Sequence, residues 1–557
     1  MKRLLILSSV AALCLSAQTP IGITPSAQGV SDPFVAYSRL NPLVPSADDA
    51  EGVEVPNQLY IPRGAQQPSA RIAPAVATLP STMYNQTTNG LLPVTVGANY
   101  IGLGNGFNLW TNQGLLPSDT TLAVGNNQIV QWVNVRLTVL QKDTGALLLP
   151  GSGYVQANQI WAGFPATSIC RTKNNGDPTV QYDRLAKQWL LHQFAFNSTN
   201  TQNGMCFAVS KTNDATGAYY LYEYDFPNLL PDYPKIGVWP DAYYLTANDF
   251  KYPGGSYNGT KVCAFDRLAM ITGAAAAGVC FISGTDGQQF ASVPGDFEGT
   301  LAPPAGAAAY ILNGDWFSKN FPPYFLQLRR FKPNFVTPAA STLDDGYGGG
   351  AGSFVSLPFD NSVIGSCGDG GGACVPQPGT TRKLDTLSMR PMYRLAYRNL
   401  GVGRESLVFT ESVDPIGAAV AGIQVVEIRN PGANPPAVWN NVNFNPDATN
   451  RWMGAAATDK LGNIGLGYSV GTATLSPGIR IAGRLVNDIR NTLRGELNVK
   501  AGTGAQTSSA QRWGDYSTMQ IDPDDDCTFW FTTEYTNNTS SANWATQIIS
   551  FKFNNCH

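Results

Sequence analysis

The sequence predicts an all-β protein, a seven-bladed β-propeller, and three observations lead there. First, four short apolar runs follow one another: Thr179–Tyr182, Trp189–Phe194, Met205–Ser210 and Tyr219–Tyr224. Asp183-Arg184, Asn197–Gly204 and Asn213–Gly217 separate them with turn-forming residues, so the stretch reads as one four-stranded antiparallel meander. Second, similar units recur. Their markers Asp119, Asp177, Asp241, Asp315, Tyr393, Trp452 and Asp515 stand 58, 64, 74, 78, 59 and 63 residues apart. Propeller blades take roughly 40–50 residues, and longer loops account for the difference. Third, charged residues are 13% of the chain against a usual share of roughly 25%, with Gly, Pro, Asn, Ser, Thr and Tyr in their place. That composition favours turns and strands over helices.

The elements follow in chain order. Lys2-Arg3, the apolar stretch Leu4–Leu15 and Ser16-Ala17 read as an export signal over residues 1–17, which implies a secreted or periplasmic protein. Residues 18–95 are rich in Pro, Ala, Ser and Gln and read as a leader or linker. Residues 96–557 read as the propeller. Seven units give seven blades; six and eight are the alternatives, because the fourth and fifth units are weakest. The last unit shows only three strands, Ser517–Ile521, Thr528–Tyr535 and Thr546–Phe553. A ring closes by completing such a blade from the other terminus, so a strand from about Asn99 to Trp110 is expected to pair into it. A pair of β-sandwiches is the competing architecture, and near-even spacing argues against it.

Removal of the signal leaves eight cysteines, an even number suited to an oxidising compartment. Each near pair lies within one local unit, so the expected bridges are Cys170–Cys206, Cys263–Cys280, Cys367–Cys374 and Cys527–Cys556. Free buried thiols are the competing reading.

The sequence excludes several chemistries. It holds two histidines, His192 and His557, one inside a predicted strand and one at the terminus. Histidine-dependent nucleophile sets and most zinc sites therefore lack their ligands. Gly467-Tyr468-Ser469-Val470-Gly471 matches a nucleophile elbow in letters, but it lies inside a predicted strand. A net charge of -3 offers no footprint for nucleic acid. No stretch after the signal is long and apolar enough to span a bilayer.

What remains are acids, arginines and aromatics. Asp119, Asp177, Asp241 and Asp515 precede the first strand of their units, and inner strands bring such positions to one mouth of a propeller. Arg394, Arg451, Arg512 and Trp513 lie close by in sequence. Together they form a candidate ligand-binding set; turn capping by each Asp is the competing reading. Asp515 with Glu534 is a candidate acid and nucleophile pair for glycoside hydrolysis, which needs the carboxyls about 5–9 Å apart. Tyr516 is a third catalytic candidate. The acidic run Asp522–Asp526 lacks the spacing of a calcium loop; it reads as a solvated turn, with a structural calcium as the alternative. No other cofactor is expected. The tryptophans read mainly as packing between blades.

Several phrases recur together: Pro117-Ser118-Asp119-Thr120, Gly176-Asp177-Pro178, Asp232–Tyr244, Arg451-Trp452-Met453-Gly454 and Arg512–Ser517. On these the chain resembles a group of exported, largely uncharacterised bacterial β-propeller-like proteins, loosely similar to the sialidase superfamily. The resemblance covers about residues 115–556 and implies export and a propeller. A sialidase-like site would use three arginines and a tyrosine, which Arg394, Arg451, Arg512 and Tyr516 would have to supply. The leading expectation is a secreted propeller binding carbohydrate or another extracellular polymer at the channel mouth. A glycoside hydrolase or lyase, and a structural cell-surface scaffold, are the alternatives. Metal content and oligomeric state stay open.

Overall fold

The computed structural model describes residues 19–34, 90–112, 114–284, 290–314, 325–344, 354–356, 373–388, 390–401, 403–415, 420–433 and 436–557. Their strands build antiparallel meanders arranged in a ring. The first sheet holds Thr121–Val124, Gln128–Val133, Arg136–Gln141 and Val155–Gln156. The second is the meander read from the sequence, with strands Thr179–Asp183, Gln188–Phe196, Asn203–Ser210 and Tyr219–Asp225. The third runs from Leu229–Val238 through Ala242–Lys251 and Ser256–Asp266 to Gly278–Ser283. A nine-stranded sheet follows, in which two meanders share one seam: Val293–Glu298 and Leu395–Asn399 pair in parallel, Gly295 opposite Leu395. Asn450–Thr458, Ile464–Gly471, Gly478–Arg484 and Arg494–Lys500 form the next sheet.

The last sheet has Thr518–Ile521, Thr528–Tyr535 and Ala545–Phe553, and its outer strand is Val94–Ile101 from far upstream. Closure by an N-terminal strand is therefore present, a few residues earlier than expected. A bulge between Val96 and Asn99 lets it follow its partner, and Gly97 fits there because a β-carbon would lie 2.7 Å from Ser550 Oγ. The first strands of successive meanders touch in cyclic order, and Thr518–Ile521 returns to Thr121–Val124. Large rings fill the wedges between sheets: Trp132, Trp189, Trp239, Trp452 and Trp513 are all buried.

Two unit starts read from the sequence shift. Trp239-Pro240-Asp241 lies in the hairpin after the inner strand, because Leu229–Val238 is that strand despite Pro231, Pro234 and Gly237. Asn313-Gly314 ends a second strand, and Asp315 lies outside the described residues.

The first part of 18–95, read as a flexible or loosely docked leader or linker, docks through two short strands. Ile21–Ile23 adds to the edge of Gly278–Ser283, and Ala27–Val30 adds to the edge of Tyr219–Asp225. These strands dock by backbone hydrogen bonds, which leave no apolar period in the sequence. Phe34 then anchors the strap, fully buried with its ring 5.3 Å from that of Tyr219.

Cys170–Cys206, Cys263–Cys280 and Cys527–Cys556 are bridged as expected, with Cα separations of 5.7, 4.1 and 5.6 Å. Cys367 lies outside the described residues, as does the export signal. Among the described residues no helix is long and apolar enough to cross a membrane.

Phe34→Ala is expected to lower unfolding free energy by about 3–5 kcal/mol, the range for emptying a buried aromatic site. Ile21→Ala, on an exposed side chain, is expected to stay within about 0.5 kcal/mol of the parent. Denaturant titration of both variants checks the pair.

Candidate functional site

Four inner strands follow a left-handed residue: Asp119, Asp177, Ala291 and Asp515 have φ values of 47°, 46°, 55° and 59°. Tyr233, φ 56°, has the same conformation within Leu229–Val238, where the register shifts between Asp232 and Lys235. Asp tolerates this conformation better than most residues, because its short carboxylate bonds locally. The repeated turn aims side chains from neighbouring units at one end of the ring axis.

The result is a cluster of carboxyls around one lysine. Asp119, Asp177, Asp515 and Glu534 are all buried, and Asp232 stands beside them. Lys235, with no exposed surface, lies among them. Its Nζ donates to the Pro234 carbonyl at 3.1 Å and sits 3.4 Å from the ring centre of Tyr233 and 3.9 Å from that of Tyr516. The two rings stand at 73° to each other with centroids 6.1 Å apart, and both make cation–π contact with the ammonium.

Hydrogen bonds fix the cluster's frame. Asp177 Oδ2 accepts from the Tyr233 amide at 3.0 Å, and the Tyr233 hydroxyl donates to the Asp515 carbonyl at 3.1 Å. Glu534 Oε2 accepts from the Gly514 amide at 3.0 Å. Gly514 has φ 66°, and a β-carbon there would meet Met453 Cγ at 2.9 Å. Asp119 Oδ2 accepts from Asn134 Nδ2 at 3.1 Å, and Asp515 Oδ2 from Arg512 at 2.5 Å. Among the described residues, Asp119 Oδ1 and Asp515 Oδ1 have no hydrogen-bond partner.

Burial and crowding set the protonation. Desolvation, then repulsion from Asp177 and Asp515, pushes the Asp119 carboxyl well above its ordinary range. Desolvation and Asp232 push Asp177 up to about 8. Desolvation and Asp515 raise Asp232 to about 6. Glu534 is pushed up to about 8, chiefly by burial. Burial lowers Lys235 to about 8 against the pull of the surrounding acids. The cluster therefore shares protons at neutral pH and carries less charge than its five carboxyls imply.

Below it the axis is filled. Gln181 bonds the Tyr393 hydroxyl, Gln520 Nε2 donates to Gln181 Oε1 at 2.8 Å, and the Tyr393 hydroxyl donates to the Ile236 carbonyl at 3.0 Å. Farther down, Arg394 is buried against Asp296 and Glu298, with Nη1 2.7 Å from Glu298 Oε1. At the far end Arg398 and Arg184 pair with Asp526.

The sequence candidates separate accordingly. Asp119, Asp177, Asp515, Glu534, Tyr516 and Arg512 come together. Asp241 does not: it sits exposed in its hairpin and accepts the Tyr244 hydroxyl at 3.1 Å. Arg451 turns outward into its own sheet, bonded to Glu496 at 2.7 Å and Asp447 at 3.0 Å. Arg394 lies on the axis but in the lower ion-pair layer. Trp513 is core, with Nε1 donating to Ser469 Oγ at 3.1 Å and its ring 5.8 Å from Trp452. That contact also places the elbow-like serine inside a buried strand. The Tyr516 hydroxyl donates to the Pro178 carbonyl at 2.9 Å, so its oxygen is committed. The acids of 522–526 meet cations instead of a calcium loop: Lys142 lies 3.0 Å from Asp522, and Lys552 3.6 Å from Asp525. Among the described residues, no group of three or more His, Cys, Asp or Glu is arranged to hold a metal ion.

Sequence reasoning missed Asp232, Tyr233 and Lys235. Their segment, Pro231-Asp232-Tyr233-Pro234-Lys235, has no alternation and reads as a loop. The signal that marks it is its distance from Asp177, which matches the Asp119-to-Asp177 step closely.

No protein-family model and no curated protein matches the chain. Solved structures do. An endo-arabinase from Bacteroides thetaiotaomicron aligns over 57% of this chain and 95% of its own, at 13% identity and TM-score 0.26. A Trypanosoma rangeli sialidase in complex with the inhibitor DANA aligns over 68% of this chain and 54% of its own, at 11% identity and TM-score 0.30. A protein of unknown function from Dyadobacter fermentans aligns over 83% and 99%, at 9% identity and TM-score 0.34. No site residue or reaction is carried over from any of them.

Native Asp177 and Glu534 keep protons up to about pH 8 that the unfolded chain releases near pH 4. The native state binds more protons across that window, so their contribution to stability falls as pH rises through it. Lys235 acts oppositely: above about pH 8 the unfolded chain holds the extra proton, and its contribution rises with pH. Unfolding free energy is expected to decline from pH 5 to 8, by up to ~1.4 kcal/mol per pH unit for each fully uncoupled group, and Asp177→Asn is expected to flatten the decline. Denaturant unfolding at half-unit pH steps measures it.

Proposed function

We propose that this protein is an exported seven-bladed β-propeller that binds carbohydrate at the carboxyl-lined end of its ring. The blade number follows from taking the nine-stranded sheet as two blades joined at their inner strands. The bridged cysteines support an oxidising compartment, and the basic-then-apolar N-terminus supports export.

One observation carries the binding reading: four carboxyls, Asp119, Asp177, Asp232 and Asp515, face one lysine with Glu534 beside Asp119 and Asp515, and Asp119 Oδ1 and Asp515 Oδ1 remain uncommitted acceptors. Buried acceptors of this kind are satisfied by a ligand rich in hydroxyl donors. A sugar supplies several such donors from one ring without bringing charge into the site.

A hydrolytic reading has its own support. Glu534, held protonated to about pH 8, stands close enough to Asp515 for the two charges to interact. Two carboxyls in different environments are the pattern of an acid paired with a base or nucleophile.

The test uses the full chain on an array of neutral and acidic oligosaccharides. Saccharide binding is expected, weakened at least tenfold by Asp515→Asn with an unchanged melting profile. Reducing-sugar release from the bound polysaccharide, abolished by Glu534→Gln, would assign the hydrolase. Failure of every saccharide to bind would overturn the proposal.

A further inference from the structure

One buried pair of opposite charges stands apart from the ring axis, in the third sheet. Ala242–Lys251 and Ser256–Asp266 are the second and third strands there, with Ala247 opposite Lys261 and Asp249 opposite Gly259. Asp249 and Lys261 are therefore diagonal neighbours on one face, a spacing that a long side chain spans. Lys261 Nζ lies 3.4 Å from Asp249 Oδ1, and the two residues are 3% and 0% exposed.

The pair lacks the hydrogen bonds that a stable buried salt bridge needs. Asp249 Oδ1 has no hydrogen-bond partner among the described residues, so amine and carboxyl meet off the hydrogen-bonding direction. Lys261 Nζ also faces the Phe226 ring, its centre 4.4 Å away. Asp249 Oδ2 is held differently: it accepts from Asn258 Nδ2 at 2.8 Å. Burial pushes the Asp249 carboxyl up and the Lys261 ammonium down, each toward its neutral form.

These are the parts of an amide-forming site. A buried lysine is a nucleophile once its proton has gone. The carboxyl carbon is beside it, and one carboxyl oxygen is fixed by a donor that stabilises negative charge as it develops there. The sheet holds the two partners together permanently, which turns a bimolecular encounter into a positioned one.

We propose that Lys261 and Asp249 join in an isopeptide bond between the second and third strands of this sheet. The ammonium passes a proton to Oδ1, the oxygen beside it. The Nζ lone pair then forms a bond to Cγ, and the carbonyl electron pair moves onto Oδ2, where Asn258 donates. As Oδ2 regains its double bond, the Cγ–Oδ1 bond breaks. Oδ1 keeps that electron pair, takes a second proton from nitrogen and leaves as water. Nothing is oxidised or reduced, and a neutral amide replaces a buried charged pair. Cys263, two residues beyond Lys261, is bridged to Cys280 on the fourth strand. The amide and that bridge tie three neighbouring strands covalently. The inference needs no ligand and is independent of the carbohydrate reading.

Mass spectrometry of the reduced full chain tests it, with the N-terminus read from a digest of the same sample. The expected mass is lower than the sequence dictates by one water molecule. Trypsin is expected to leave the bond after Lys261 uncut in the denatured chain, and fragmentation of the digest to place the link between Asp249 and Lys261. Asp249→Ala and Lys261→Arg are each expected to restore the full mass, and Asn258→Ala to leave part of the chain at full mass. The wild-type measurement needs no variant to fold. Full sequence mass, with trypsin cutting after Lys261 and its amine open to labelling in the denatured chain, would overturn the proposal and leave an ion pair. A missing water that persists in Lys261→Arg would also overturn it, because the loss would then lie elsewhere.

Discussion

Closure of the ring is the constraint on which the rest depends. Val94–Ile101 pairs with Ala545–Phe553 across almost the whole described length of the chain. An open stack would leave the edge of Ala545–Phe553 bare and the inner strands free to splay. Closed, the ring brings Thr518–Ile521 beside Thr121–Val124, and the Asp119 amide donates to the Gly514 carbonyl at 3.0 Å. That single bond ties the first unit's turn to the last unit's turn. Asp119 on one side and Asp515 and Glu534 on the other face each other across this seam. The bridge Cys527–Cys556 fastens the C-terminal end of the same sheet.

The ring axis is layered by chemistry. Carboxyls and one lysine occupy the end where inner strands begin, amides and a phenol fill the middle, and arginine–carboxylate pairs close the far end. In the lower layers Arg394 meets two acids and the Met519 carbonyl, and Glu298 Oε2 and Arg398 Nε stay unbonded among the described residues. In the upper layer Lys235 has aromatic faces around it and no carboxylate within bonding reach among its hydrogen bonds, while Asp119 and Asp515 each keep an oxygen unbonded. The ion pair of that layer is Arg512 with Asp515 at 2.5 Å.

Much of this was legible in the sequence, for identifiable reasons. The meander from Thr179 to Asp225 stands out because its strands are long, apolar and punctuated by turns. The bridges Cys170–Cys206, Cys263–Cys280 and Cys527–Cys556 follow because each closes within one sheet or beside it. Asp119, Asp177 and Asp515 follow because a left-handed turn before a strand selects Asp. Asp241 failed because its Trp-Pro-Asp phrase resembles a unit start yet sits one hairpin later. Arg451 failed because proximity in sequence says nothing about which face of a strand a side chain takes, and its face meets Glu496. Lys235 was hidden because prolines on either side of it break every strand pattern. The strap Ile21–Val30 was hidden because edge strands dock through backbone groups.

The upper layer also carries an energetic cost. Burying five carboxyls and an ammonium is unfavourable compared with filling the same space with apolar side chains of similar volume. The protein has apolar residues available for such a role, as its other inner-strand layers show with Ile236, Leu395 and Ala457. The fold does not require the acids: Ala291 holds the same left-handed turn with a methyl group. The left-handed turn therefore favours Asp at 119, 177 and 515 without requiring it. Carboxyls kept against their desolvation energy, with two oxygens unbonded, are what the proposed function is built on.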